Sequence, residues 1–220
     1  MVGNCCNHCD DESSARQGRY RKILWISLVI NLVMFAIEIV SGLQGGSVSL
    51  LADSLDFLGD AANYGIGLFV LGMSVTVRAN ASRVKALSMG AFGLWVLGLA
   101  IWNLISGVVP SAPTMGIVGV CALAANCTVA LLLFAYREGD SNMRSVWLCT
   151  RNDALGNVAV LLAALGVFGT GAGWPDLIVA ATMAILALTS AVHVLRQASA
   201  EQRGVGVGSP TASAAGDRPR

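Results

Sequence analysis

Charge is what this sequence has least of. Only 12% of its 220 residues are charged and 55% are hydrophobic, whereas soluble domains average about 25% charged residues. The net charge is +1, and no block of basic residues is interleaved with aromatic residues, which excludes nucleic acid as an expected partner. In a soluble protein, the long apolar segments of this sequence would form helices with polar faces toward water, and such faces are missing. The composition therefore predicts an all-α integral membrane protein in contact with the lipid bilayer.

Proline is also scarce, and its positions exclude kinks in the long apolar runs. An apolar run of about 20 residues can cross a bilayer as a helix, and six predicted spans have this character: 23–43, 50–76, 86–107, 115–136, 145–169 and 176–195. All five prolines fall at or beyond the ends of these spans: Pro110, Pro113, Pro175, Pro210 and Pro219. Proline interrupts a helix only when it lies in the interior. The sequence thus predicts six uninterrupted transmembrane helices.

Basic residues are absent from three of the connections between these spans. The connections 42–49, 106–114 and 170–175 contain neither Lys nor Arg. All fourteen basic residues lie in the two tails, in the other two connections or just inside the fifth span. Loops rich in Lys and Arg stay on the cytoplasmic side. We therefore predict that both termini are cytoplasmic and that the protein lies in the cell's inner or plasma membrane.

These boundaries predict three regions. Residues 1–22 form a polar cytoplasmic N-terminal tail, and residues 23–196 form the six-helix transmembrane domain. Residues 197–220 are rich in Ala, Gly, Ser and Pro, a composition typical of disorder. We predict a disordered cytoplasmic tail for this last region.

Three aspartates interrupt the second span. Asp53, Asp56 and Asp60 lie in SLLADSLDFLGDAANYG (49–65), which is otherwise apolar or small. Each charge near the bilayer centre costs about 2.5–3.5 kcal/mol on insertion scales, so three would cost roughly 7–10 kcal/mol. Acids placed at such a cost indicate a functional site.

The fifth span repeats part of this pattern. DFLGD at 56–60 and DALGN at 153–157 share the form Asp-x-Leu-Gly-Asp/Asn. Spans two and five are the middle helices of two three-helix halves, and an odd number of helices inverts the second half relative to the first. Secondary transporters are commonly built from such inverted repeats and bind their substrate at the midplane.

The spacing within each pair suits an ion. Residues i and i+4 lie on one helix face, and antiparallel spans would bring Asp56 level with Asn157 and Asp60 level with Asp153. Four oxygen ligands are enough for a tetrahedral divalent metal site. The predicted metal-binding residues are Asp56, Asp60, Asp153 and Asn157. The metal is a substrate here, and no resident cofactor is predicted.

Other residues extend this picture. Asp53 and Asn63 continue the polar face of span two, and Glu38 of span one can face the bundle, so these three are candidates for an access path or a proton relay. Gly59 and Gly156 would let spans two and five approach closely.

The N-terminal CCNHC motif contains ligands of a softer kind. Cys5, Cys6, His8 and Cys9 fall within five residues, and thiolates and imidazole bind zinc, cadmium or cuprous copper. The spacing is not that of a zinc finger. We predict a role in metal capture, with acylation of the cysteines as the alternative.

Three other interpretations remain open from the residues alone. The acids could form a purely structural stripe. Two aspartates on different helices could share a proton in an intramembrane aspartyl protease, which would leave Asp56 and Asn157 without a role. The protein could also be a membrane metal sensor that transports nothing.

The segments 31–65 and 151–168 resemble the cation diffusion facilitator family of divalent metal transporters, and the resemblance covers roughly residues 20–196. It implies six helices with cytoplasmic termini, a homodimer, and a metal site at the four residues already named. It also implies that the protein is a transporter rather than an enzyme. Such a transporter exports zinc, cadmium, cobalt or a similar metal in exchange for protons.

This chain departs from the family pattern in three respects. Asn157 occupies a position where Asp is usual, no His is present among the four ligands, and only a short tail follows the sixth span where most members carry a cytoplasmic metal-binding domain. The chain therefore resembles a short form of the family.

Overall fold

The computed structural model describes residues 4–70, 75–136 and 141–207. This part of the chain is helical throughout, apart from short turns, and contains six α-helices and one π-helical segment. In chain order these are α1 (Asn4–Gly45), α2 (Val48–Gly65), the π-helical segment (Ile66–Val70), α3 (Val75–Ser106), α4 (Ala112–Phe134), α5 (Ser141–Thr170) and α6 (Trp174–Val207).

Five of these helices contain stretches long and apolar enough to cross a membrane, by length and composition. The stretches are Gly18–Gly45, Asn80–Ser106, Ala112–Phe134, Asp153–Thr170 and Trp174–Arg196. No more than a third of the most apolar window in each is buried inside the protein. Large side chains such as Ile105 and Phe168 are almost fully exposed on the outer surface of the bundle, where acyl chains would cover them. The protein is thus a multi-pass membrane protein.

Helix α2 lacks this apolar character because it lies inside the bundle. Thirteen of its eighteen residues are buried, and its side chains enter all four apolar clusters formed by the described residues. Leu55 packs with α3 and α6, Leu50 with α4 and α5, and Tyr64 with α1 and α4. Because other helices surround α2, it needs no lipid-facing surface and can carry three aspartates.

Four predicted boundaries differ clearly from the structure. The predicted second span, 50–76, was too long: α2 ends at Gly65, a π-helical segment follows, and α3 begins at Val75 rather than near residue 86. Gly65 and Gly67 weaken the helix at this point, although the apolar run continues past them. At the chain ends, α1 continues through the predicted tail, and α6 extends to Val207, so that 197–207 is helical where disorder was predicted.

The connections 46–47, 107–111 and 171–173 meet at one end of the bundle, which we call the glycine-turn end. Gly46, Gly107 and Gly171 each have φ between 62° and 69°, a left-handed conformation that glycine adopts most easily after a helix. The Ser111 N–H donates to the Gly45 carbonyl at 2.8 Å, which joins the first two connections. They fall within the three predicted connections that contain no Lys or Arg, 42–49, 106–114 and 170–175.

Candidate ion-binding site

The acids of α2 and α5 face each other inside the bundle. The carboxyl groups of Asp60 and Asp153 are close enough to interact with each other. Asp60 is 4% exposed, whereas Asp153 is only half-buried. Interacting carboxyl groups repel each other when both are ionised, and a shared proton or a bound cation would relieve this repulsion.

Two hydroxyl groups orient Asp60. The Tyr64 hydroxyl donates to Oδ2 of Asp60 at 2.9 Å, and the Thr150 hydroxyl donates to the same atom at 3.0 Å. The two hydroxyl oxygens are 2.8 Å apart, and both residues are buried. These contacts occupy one oxygen of Asp60 and leave Oδ1 for a proton or a metal ion.

Gly156 lets α5 lie close to Asp53 and Asp56 of α2. A Cβ atom at Gly156 would lie 3.8 Å from Oδ2 of Asp56 and 3.9 Å from Oδ1 of Asp53. Gly59 does not serve the same contact, contrary to prediction, because a Cβ atom there would meet the Met89 side chain of α3 at 2.9 Å. Only one of the two glycines therefore lies between the acid-bearing helices.

Asn157 is fully buried beside this region. Neither its amide oxygen nor its amide nitrogen has a hydrogen-bond partner among the described residues. A buried amide without partners is rare and costly, and an oxygen ligand to a cation is one way to satisfy it. As the side chains stand, no three Asp, Glu, His or Cys groups of the described residues form a metal-binding cluster. Binding an ion would therefore require the carboxylates to reorient.

Glu38 and Asp53 form a second carboxyl pair, between α1 and α2. Both residues are fully buried, and their carboxyl groups are close enough to interact with each other. In the part of the chain that the structure covers, none of their four oxygen atoms has a hydrogen-bond partner. A proton shared between the two carboxyl groups would satisfy one oxygen of each.

Asn63, the third candidate for an access path, lies at the opposite end of α2 from Asp53. Its amide oxygen accepts a hydrogen bond from the Lys85 ammonium group of α3. Lys85 is also close enough to Asp60 to attract its negative charge. A cation is therefore placed beside the acids at this end of the helix.

The side chains of Cys5, Cys6, His8 and Cys9 lie outside the described residues, although the backbone from Asn4 onward belongs to α1. Metal capture by this motif stays a prediction.

Tyr64 and Thr150 were not singled out from the sequence. Their spacing could have indicated them, since Tyr64 follows Asp60 by four residues and Thr150 precedes Asp153 by three. Both separations place side chains on one helix face. Hydroxyl groups in apolar helices are common, however, and only the packing shows that these two reach the same carboxylate.

We expect Tyr64→Phe and Thr150→Val each to weaken the binding of a divalent metal ion at the predicted site about tenfold without lowering the amount of folded protein. Each change removes one hydrogen bond to a carboxylate, which contributes about 1.5–3 kcal/mol, and so frees Asp60 to adopt other orientations. Titration of the purified protein with a divalent metal ion measures the effect. Thr128→Val is the control, because that hydroxyl donates only to the Ala124 carbonyl of its own helix; an equal effect in the control would contradict the role of the two hydroxyls.

The fold and the site define a class before any relative is considered. A multi-pass helical protein with acids enclosed at its centre, on two facing helices, is typical of proteins that move ions through a membrane. A sequence profile described as the cation efflux transmembrane domain matches residues 24–201, most of the chain. The protein belongs to the cation efflux family, which is the family that its sequence resembles.

Individual relatives agree with this assignment. The chain is 24% identical over 195 residues to the cadmium, cobalt and zinc/H(+)-K(+) antiporter of Bacillus subtilis, a match that covers 82% of this chain and 62% of the relative. It is 27% identical over 203 residues to the zinc transporter ZitB of Escherichia coli, with 86% and 63% covered. The human proton-coupled zinc antiporter SLC30A2 is 27% identical over 215 residues, with 86% and 57% covered.

The chain thus spans about six tenths of the length of these relatives. Family membership also bears on one alternative. Two aspartates on facing helices would suit an aspartyl protease, but the profile that matches is described as a cation efflux domain.

Proposed function

We propose that this protein exports a divalent metal ion such as zinc, cadmium or cobalt from the cytoplasm in exchange for protons. The observation that carries the proposal is that α5 meets the acids of α2 inside a membrane bundle, through the hydrogen bond from Thr150 to Asp60 and the close approach of Gly156 to Asp53 and Asp56. Relatives named as zinc transporters and as cadmium, cobalt and zinc antiporters support the choice of substrate.

The metal binds to Asp56, Asp60, Asp153 and Asn157 in this proposal. The proton held between Asp60 and Asp153 leaves when the metal arrives, because a carboxyl group must lose its proton to act as a ligand. Protons that return from the other side of the membrane release the metal. Competition between proton and metal for the same oxygen atoms thus couples the two fluxes.

Glu38 and Asp53 supply a second place for a proton in this scheme. The pair lies on the side of Asp56 that is nearer the glycine-turn end, since Asp53 precedes Asp56 by three residues, almost one turn. We propose that it passes protons between the site and that end of the bundle. Asn63 and Lys85 would line the path at the opposite end.

Orientation and assembly belong to the same proposal. The glycine-turn end, free of Lys and Arg, faces outward, and both termini are cytoplasmic. All six α-helices cross the membrane, with α2 enclosed by the rest, and two inverted three-helix halves bring DFLGD and DALGN together. We further propose the cell's inner or plasma membrane as the location, and a homodimer, which rests on the family resemblance alone. The CCNHC motif captures metal ahead of transport.

The ligand set bears on which metal is moved. One of the four ligands is a neutral amide and none is an imidazole, so this oxygen site holds one negative charge fewer than a four-carboxylate site would. Oxygen ligands suit harder cations, whereas imidazole favours zinc. We therefore propose a broad divalent selectivity rather than a strict preference for zinc.

Purified protein in proteoliposomes with a pH-sensitive dye inside tests the function. With a panel of zinc, cadmium, cobalt and manganese applied in turn, we expect metal uptake accompanied by proton movement in the opposite direction. Protein-free liposomes and the Asp60→Ala variant are the controls. Metal binding without any flux would instead favour a membrane metal sensor and would refute transport.

A further inference from the structure

Asp176, near the start of α6, is a buried acid outside the site described above. It is 1% exposed, and its carboxylate reaches across to the first residues of α2. Oδ1 accepts from the Ser47 hydroxyl at 2.7 Å and from the Ser49 N–H at 3.1 Å, and Oδ2 accepts from the Val48 N–H at 2.8 Å.

These contacts complete the N-terminus of α2. The first N–H groups of any helix lack partners inside the helix. Asp176 accepts from the first two of them, at Val48 and Ser49, and the Ser47 side chain accepts from the third, at Leu50, at 3.2 Å. A carboxylate at this position also interacts favourably with the positive end of the helix dipole. The acid therefore fastens α2 to α6 with charge-assisted hydrogen bonds in a place that water does not reach.

The same point is where the three connections of the glycine-turn end converge. The Asn103 amide donates to the Gly46 carbonyl at 3.3 Å, and the Ser111 N–H donates to the Gly45 carbonyl. Gly173, three residues before Asp176, packs directly on the Val108 carbonyl, so closely that a Cβ atom would not fit. The turn between α1 and α2 is thus enclosed by the other two connections, with Asp176 at its centre.

We propose that Asp176 is a positioning residue that seals the glycine-turn end of the bundle above the ion site. By holding the N-terminus of α2 against α6, it keeps water and ions at that end away from Asp53 and Asp56 further along the same helix. This deepens the proposed transport function and rests on it, because a seal matters only in a protein that moves ions. Outward release of the metal then requires the contact between Asp176 and α2 to separate.

Cysteine accessibility tests the seal without any metal. In a variant that lacks the six native cysteines, Ser54→Cys and Ser27→Cys supply matched reporters. Both serines are fully buried, and both changes are nearly isosteric. Ser54 lies six residues from the start of α2 at the glycine-turn end, whereas Ser27 lies eighteen residues from the end of α1 at that same end. An impermeant maleimide is applied to sealed vesicles of known orientation, first from one side and then from the other.

With Asp176 intact, neither reporter is expected to react from the glycine-turn side. With Asp176→Ala, we expect the labelling rate of Ser54→Cys from that side to rise about tenfold, a change of about 1.4 kcal/mol in the opening equilibrium, while Ser27→Cys stays unreactive. Asp176→Asn and Ser47→Ala remove fewer contacts and should give smaller increases. If the Asp176→Ala variant is not produced as folded protein, the Asp176→Asn and Ser47→Ala variants test the proposal in its place.

An equal rise at both reporters would indicate general loosening and would overturn the proposal, as would no rise at Ser54→Cys in any of the three variants. A rise at Ser54→Cys alone, from the glycine-turn side, supports the seal. If that side proves to be the cytoplasmic one, the proposed orientation is refuted and the seal stands, so the two failures can be told apart.

Discussion

Asp60→Ala and Asp153→Ala are each expected to abolish metal flux while the bundle stays folded, and Asp56→Ala should do the same. Each change removes a ligand together with the negative charge that offsets the desolvation of a divalent ion. Folding should survive because a buried carboxylate is itself costly in a membrane. Flux into proteoliposomes measures the loss, and size-exclusion chromatography with circular dichroism measures the fold.

Asn157 provides the graded comparison. Asn157→Ala should weaken metal affinity less than the aspartate changes do, because water can replace a neutral ligand most easily. Asn157→Asp should retain metal binding and make transport more strongly dependent on pH, since it adds a group that must lose a proton. Normal transport by Asp56→Ala alongside a dead Asp53→Ala would show that the pair on α2 had been chosen wrongly.

Glu38→Gln and Asp53→Asn are each expected to lower the maximal rate of metal transport about tenfold, with the KM for metal little changed. These carboxyl groups have only each other as partners in the described part of the chain. They serve proton movement in the proposed mechanism rather than metal binding. The double variant should be no slower than either single variant, because groups that act as a unit are not additive.

The readout is the initial rate of metal flux at several external pH values, which should change less with pH in the variants than in the parent protein. Ser27→Ala is the control, since it removes another buried polar group from α1. A raised KM with an unchanged rate would assign Glu38 and Asp53 to metal binding and contradict the proton-relay role.

The membrane character of the protein and the identity of the acids could be predicted from the sequence for a simple reason. Hydrophobicity and charge act locally, so long apolar runs and the Asp-x-Leu-Gly-Asp/Asn repeat are visible without knowing what each residue contacts. The ends of helices were less predictable. The apolar run 50–76 contains no charge after Asp60, yet α2 ends at Gly65. The hydrophobic pattern does not show this end, because glycines lower helix propensity without interrupting the apolar run.

Most partners across helices could not be predicted, apart from the approach of Asp60 to Asp153. Gly59 and Gly156 occupy equivalent positions in the two repeats, but the first packs on Met89 and the second on the carboxylates of Asp53 and Asp56. Asp176 follows a Trp-Pro pair and resembles an ordinary acid in the first turn of a helix. Its role as the cap of α2 depends on a contact across 129 residues of chain.

The sequence by itself determined the class of protein, the six helical segments and the acids at their centre, because these follow from composition and from periodicity along one helix. The tertiary structure alone decided that α2 is enclosed by the other helices, that Tyr64 and Thr150 hold Asp60, and that Asp176 closes one end. The physical reason is that desolvation and hydrogen bonding of a buried polar group depend on which helices surround it. Packing brings those helices together from distant parts of the chain, and no local pattern records their arrangement.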